Sequence, residues 1–169
     1  MIDYSICPLT QKDESFLWQM LYEAAHLSKE GNLTVQDVMN HPDLAKYVKN
    51  WGEKDDSGFV AILESTNQPV GAAWLRLLTG ENKGYGYISD RIPELAIAIL
   101  PEYRNQGIGT QLLKHLLTAP KTSYPSVSLS IRATNPALGL YKRLGFEVVL
   151  GSETINRVGG ISLKMKIDL

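Results

Sequence analysis

"ELAIAILPEYRNQGIGTQLLKHLL" runs from Glu94 to Leu117. A continuous apolar run, residues 95–100, meets Pro101, and a short polar turn with Gly107 and Gly109 leads at once into a leucine-rich run. The apolar run reads as a strand buried on both faces. The leucine-rich run reads as a helix, with Ile108, Leu112, Leu113, Leu116 and Leu117 on one side. Glycine weakens a helix by about 1 kcal/mol relative to alanine, so two glycines at its start need a reason. The first helical turn leaves backbone N–H groups without partners, and the helix dipole makes that end positive. Phosphate is a natural partner there, and side chains would obstruct its approach. Arg104 adds a fixed positive charge that can pair with phosphate oxygens. The plainer reading is that the glycines only allow a tight strand-to-helix crossover. No G-x-x-x-x-G-K-[ST] occurs, which excludes a P-loop, and Leu112 stands where G-x-G-x-x-G needs its third glycine.

Before this stretch, "YSICPL" reads as a strand and "TQKDESFLWQMLYEAAHL" as a helix whose start Thr10 or Asp13 can cap. "TVQDVMNHPDLAKYVKNW" is a second helical stretch interrupted at Pro42. "GFVAILE" and "PVGAAWLRLL" read as strands joined in a hairpin by "STNQ", and "TGENKGYGYISDRIP" is a long loop of the kind that is often functional. After it, "SVSLSIRA" is a strand and "PALGLYKRLG" a helix, and "FEVVLGSE" and "GGISLKMKIDL" are closing strands. The expected order is β, α, α, β, β, β, α, β, α, β, β: mixed α/β, with a central sheet and helices on its faces.

The 169 residues are expected to form one domain, 1–169. A net charge of −1 gives no electrostatic case for nucleic acid or an anionic membrane. The N-terminus "MIDYSICPLT" lacks the basic region and long apolar core of a signal peptide, and no apolar run approaches the roughly 20 residues of a membrane span. The single cysteine, Cys7, cannot form an internal disulfide. A cytoplasmic location is expected. His26, His41 and His115 lack metal-ligand spacing, so no metal is expected.

"ILPEYRNQGIGTQLL" resembles the main acyl-CoA-binding motif of the GNAT superfamily of N-acyltransferases: Arg or Gln, two residues, Gly, one residue, Gly or Ala. Arg104, Gly107 and Gly109 match it. "NPALGLYKRLGFE" resembles the family's second motif at Asn135, Tyr141, Gly145 and Phe146. The resemblance implies a mixed, mostly antiparallel sheet of six to seven strands with about four helices. It implies an N-acetyltransferase that moves the acetyl group of acetyl-CoA to a primary amine by direct attack in a ternary complex. A small-molecule amine is the expected acceptor. The alternatives are a protein N-terminus, a non-catalytic acyl-CoA-binding regulatory domain, or another nucleotide-binding module. The partners are thus an amine acceptor, with no nucleic acid or membrane, and the chain acts as a monomer or a homodimer.

Residue by residue, the resemblance implies that the pyrophosphate lies on the N–H groups of Gln106, Gly107, Ile108, Gly109 and Thr110, with Arg104 beside them. The pantetheine arm pairs with the backbone of Ile97 and Ile99, like an added strand. Tyr141 is placed as general acid for the departing thiolate; the alternative is a tyrosine packed under the sheet. Glu94 is the candidate base, acting directly or through water; the alternative is an edge carboxylate pairing with Arg91. Asn135 bonds the cofactor or orders its own turn. Lys142 and Arg143 meet cofactor phosphates or are solvated charges. Trp18, Tyr22 and His26 share a helix face that contacts the acceptor or packs in the core, and the long loop offers Tyr85, Tyr87 and Asp90.

Overall fold

The computed structural model describes residues 2–25, 33–119, 124–156 and 159–169. They belong to two compact units, Met1–Arg76 with Ala96–Pro120 and Leu77–Leu95 with Lys121–Leu169. Among the described residues there are eight strands and five α-helices, one of each more than the reading above. The extra helix arises at Pro42 and the extra strand at Gly151, both described below. The class is mixed α/β with mostly antiparallel pairing, as the resemblance implied.

The first unit contains β1 (Tyr4–Pro8), α1 (Glu14–Ala24), α2 (Val35–Asn40), α3 (Pro42–Ala45), β2 (Ser57–Leu63), β3 (Pro69–Arg76), most of β4 (Glu94–Ile99) and α4 (Ile108–Thr118). β1 and β3 flank β2 in antiparallel register, and β4 lies next to β3. The hairpin predicted from "STNQ" is the β2–β3 pair. Thr10 caps a short 3-10 turn ahead of α1, with Asp13 completing a capping box. Pro42 ends one helix and takes the first position of the next, where its missing N–H costs nothing. All five apolar residues predicted to share a face of α4 are buried, and α4 packs on β2 and β3. Trp18 is buried and Tyr22 half-buried; His26 lies outside the described residues.

One charged cluster ties the Lys46–Asp56 segment to the end of β3. Arg76, 5% exposed, meets Asp56 through two parallel bonds, Nε to Oδ1 at 3.0 Å and Nη2 to Oδ2 at 2.9 Å. Its other N–H groups donate to the carbonyls of Lys46 (3.0 Å), Lys49 (2.6 Å) and Asn50 (3.1 Å). Asp56 in turn accepts from the N–H groups of Gly52 and Glu53. A buried guanidinium is tolerated because each of these donors is used.

The second unit contains the start of β4, β5 (Ser126–Arg132), α5 (Leu138–Leu144), β6 (Glu147–Val148), β7 (Thr154–Ile155) and β8 (Ile161–Asp168). Glu94 pairs in parallel with Ser128 of β5. β5 runs antiparallel to β8 from Ser126↔Asp168 to Arg132↔Ser162, and β6 and β7 also pair with β8. "FEVVLGSE" forms only the two-residue β6 before turning. Gly151, at φ 75°, bends the chain, and β7 follows. α5 ends at Gly145, whose φ of 108° suits glycine. The N–H of Phe146 returns to the carbonyl of Tyr141 at 3.0 Å. Among the described residues, no helix is long and apolar enough to cross a membrane.

Removing one member of a buried, fully bonded ion pair strands the other. Asp56→Ala should lower unfolding stability by about 3 kcal/mol in urea titrations, with the slope unchanged. A loss below about 0.5 kcal/mol, the range of ordinary surface substitutions, would show that the cluster holds nothing together.

Candidate active site

The turn between β4 and α4 is built from backbone. Leu100 N–H bonds the carbonyl of Val70 at 2.8 Å and so closes the strand. Pro101–Tyr103 make one 3-10 turn. Asn105 and Gly107 then adopt left-handed conformations, at φ 62° and 84°. Gly107 is the N-cap of α4, and no side chain bonds there among the described residues. The N–H of Gln111 bonds the Gly107 carbonyl, and helix geometry leaves the N–H groups of Ile108, Gly109 and Thr110 without intrahelical partners.

Space around the turn is open. A Cβ built on Gly107 meets nothing within 4 Å, so this glycine answers to its backbone angle rather than to packing. A Cβ on Gly109 would lie 3.9 Å from the side chains of Ile97 and Ile99, an ordinary contact. One methyl therefore fits, in keeping with the motif's Gly or Ala. Gln106 and Gly107 are exposed, Gly109 and Thr110 half-buried, and Ile108 anchors the helix in the core at 1% exposure. Ile97 and Ile99 are half-buried. This arrangement suits an anion held by N–H groups and the dipole of α4.

Arg104 is more engaged than its motif position suggests. Its Nε donates to the Ile99 carbonyl at 2.9 Å, and its Nη2 pairs with Glu23 Oε2 at 3.0 Å. It thus ties the glycine turn to the end of β4 and to α1. Glu23 was not singled out in the sequence, where one acidic residue on an amphipathic helix gives no signal.

Glu94, Asn135 and Tyr141 lie in the second unit. Glu94 is 2% exposed. Its Oε2 accepts from Gly84 N–H at 2.9 Å and its Oε1 from Gly86 N–H at 2.8 Å. The partner pictured from sequence was Arg91; the bonds found are to backbone of the "GYG" loop. That spacing was the available clue, since glycine N–H groups are unshielded. Asn135 Oδ1 accepts from Ala137 N–H at 2.8 Å, so it does order its own turn ahead of α5. Lys142 and Arg143 are exposed.

Tyr141 is 8% exposed, edge-on to Phe146 with ring centroids 5.6 Å apart. Burial pushes its phenol well above the ordinary tyrosine range, so it keeps its proton. In the long loop, Tyr87 Oη donates to Asp90 Oδ1 at 2.6 Å; that bond, then burial and the carboxylate's charge, raise the Tyr87 pKa. Among the described residues, no three His, Cys, Asp or Glu side chains gather as metal ligands.

The model of the acetyltransferase (GNAT) family matches residues 18–146. An N-alpha-acetyltransferase of Saccharolobus solfataricus is 40% identical over 131 residues, 72% of this chain and 72% of that protein. An N-alpha-acetyltransferase of Sulfurisphaera tokodaii is 47% identical over 58 residues, but these span only 32% of this chain and 35% of that protein. Among solved structures, the GNAT-family acetyltransferase of Streptococcus pneumoniae has a TM-score of 0.70 at 18% identity, with 99% of each chain covered, a likeness of fold. With the glycine turn, the Asn135–Phe146 motif and the mixed sheet all in place, the chain belongs to the acetyltransferase (GNAT) family.

Proposed function

We propose that this protein transfers the acetyl group of acetyl-CoA to a primary amine by direct attack in a ternary complex. The observation that carries the proposal is the start of α4: uncapped by side chains, open at Gly107, and preceded by Arg104. The N–H groups of Gln106 to Thr110 hold the pyrophosphate, and the backbone of Ile97 and Ile99 holds the pantetheine arm. Acetyl-CoA supplies an activated thioester. The Ile97 N–H is the donor for the oxyanion. Glu94 takes the amine proton, directly or through water, as the C–N bond forms. Tyr141, kept protonated by burial, gives its proton to the thiolate as the C–S bond breaks, and solvent restores it.

For the acceptor, a polypeptide N-terminus has the stronger support, because the 40% identical relative is an N-alpha-acetyltransferase. The small-molecule amine expected from sequence ranks second. The lone free thiol, Cys7, fits a reducing, cytoplasmic setting. The test is thiol release from acetyl-CoA with a panel of free-N-terminus peptides and small amines. Turnover of peptides alone supports the first acceptor, and turnover of small amines alone the second. Acetyl-CoA binding without any turnover would leave a regulatory domain.

Substitutions at three positions probe the roles. Asn and Asp both tolerate a left-handed backbone, so Gly107→Asn and Gly107→Asp differ mainly in charge. Acetyl-CoA should raise the melting temperature of the Asn variant and fail to raise that of the Asp variant; equal shifts would remove phosphate from the turn. Tyr141→Phe keeps the packing on Phe146 and should lower kcat roughly 100-fold, with acetyl-CoA affinity unchanged. An unaltered kcat, in an enzyme whose chemistry limits turnover, removes Tyr141 as the acid. Glu94→Gln should abolish or shift the acidic limb of the kcat/KM profile. Activity should partly return at high pH, where more of the amine is neutral. The parental limb in an active Glu94→Gln enzyme would assign the base elsewhere.

A further inference from the structure

The loop between β3 and β4 is tethered at its backbone more firmly than its exposed side chains suggest. Glu94 receives the N–H groups of Gly84 and Gly86. Lys164 of β8 donates its Nζ to the Tyr87 carbonyl at 2.6 Å. Gly86 lies against β5, where a Cβ would come within 2.8 Å of the Leu129 carbonyl carbon and 3.0 Å of the Ser130 nitrogen. Backbone cannot move aside as a flexible side chain can, so only glycine fits there. The main chain of residues 84–87 is thus fixed from three directions, while Tyr85, between the two clasped glycines, stays 43% exposed.

This placement bears on how an amine reaches Glu94. Loop N–H groups meet both carboxylate oxygens, so residues 84–86 border the carboxylate that the proposal offers to the amine. Tyr85 is the exposed side chain on that stretch. The adjoining surface already holds a cation: Lys83 Nζ lies 4.6 Å from the centroid of the Tyr87 ring, and the Tyr87 hydroxyl is held by the Asp90 carboxylate. An aromatic ring beside a carboxylate suits an amine that arrives protonated.

We propose that Tyr85 is an acceptor-binding residue and that Glu94, Gly86 and Lys164 position it. The inference rests on the proposed reading of Glu94 as the base for the acceptor amine. A fixed loop presents Tyr85 already ordered, so the acceptor does not have to order it on binding.

The test is steady-state kinetics of the full chain with the best substrate from the panel of free-N-terminus peptides and small amines. Tyr85→Ala and Lys164→Met should each raise the acceptor KM about 10-fold, with kcat, the acetyl-CoA KM and the acidic limb of the pH profile unchanged. Tyr85→Phe, which keeps the ring, should restore most of the affinity. Lys166→Met removes a lysine from the same strand, one paired with Asp168 and not with the loop, and should behave as the parent. A parental acceptor KM in Tyr85→Ala overturns the proposal. So does a loss in Lys164→Met that falls equally on kcat and on the acetyl-CoA KM, which would mark the tether as structural. A parent that turns over no amine defeats the proposed function and this inference with it; an active parent insensitive at Tyr85 defeats only the inference.

Discussion

Two left-handed residues within three positions, Asn105 and Gly107, are the constraint on which the candidate cofactor site depends. They let a buried strand become a helix with its first N–H groups left uncovered. A left-handed conformation costs an ordinary L-residue roughly 1–2 kcal/mol, and asparagine and glycine tolerate it best. The strain is offset nearby. Ile108 anchors the first turn of α4 in the core, and Arg104 fastens the approach to Ile99 and Glu23. The turn is therefore set before any ligand arrives, and a bound anion need not organise it. Arg104 serves that geometry whether or not its remaining N–H groups also meet phosphate.

Two buried charges repeat one solution in the two units. Arg76 is surrounded by carbonyls and the carboxylate of Asp56; Glu94 meets backbone N–H groups. Each charge organises a segment with few regular hydrogen bonds of its own. Arg76 holds Lys46–Asp56, and Glu94 holds the loop before β4. Such charges stay buried because the bonds they make to main-chain groups are also ones the irregular backbone needs. Either segment would otherwise expose main-chain groups to be satisfied by water alone.

The sequence made the regular elements legible because they rest on local rules. The α4 face, the break at Pro42 and the β2–β3 hairpin follow from periodicity, a missing N–H and a short polar link. The strand predicted at residues 146–153 is split because Gly151 bends the chain, and one glycine within an apolar run leaves little sign of that. The candidate site was legible only as motifs: Gly107 stands at the start of α4, and Tyr141 on the short helix that ends at Gly145. Their partners were not legible. Glu23 lies 81 residues from Arg104, and Lys164 lies 77 from Tyr87. Contacts at such separations depend on the fold and leave no local spacing to read. Glu94 shows the limit best. Its place at the head of an apolar strand suggested chemistry, and only the unshielded glycines of the "GYG" loop hinted that its oxygens would hold two amides.

Those amides change what Glu94 must do. A base free in a cleft could move toward its substrate, whereas this carboxylate is held on both oxygens and keeps one orientation. A carboxylate offers about four lone-pair sites, more than two amides use. In the proposed role Glu94 therefore meets its proton in an orientation that the loop amides have already set. Tyr141 is fixed by different means: its ring is held by Phe146 and the Gly145 turn, and burial keeps its proton in place. The proposed base is thus oriented by hydrogen bonds and the proposed acid by packing. Substitutions in the loop should then disturb the acceptor half of the reaction, and substitutions around Phe146 the departure of the thiolate.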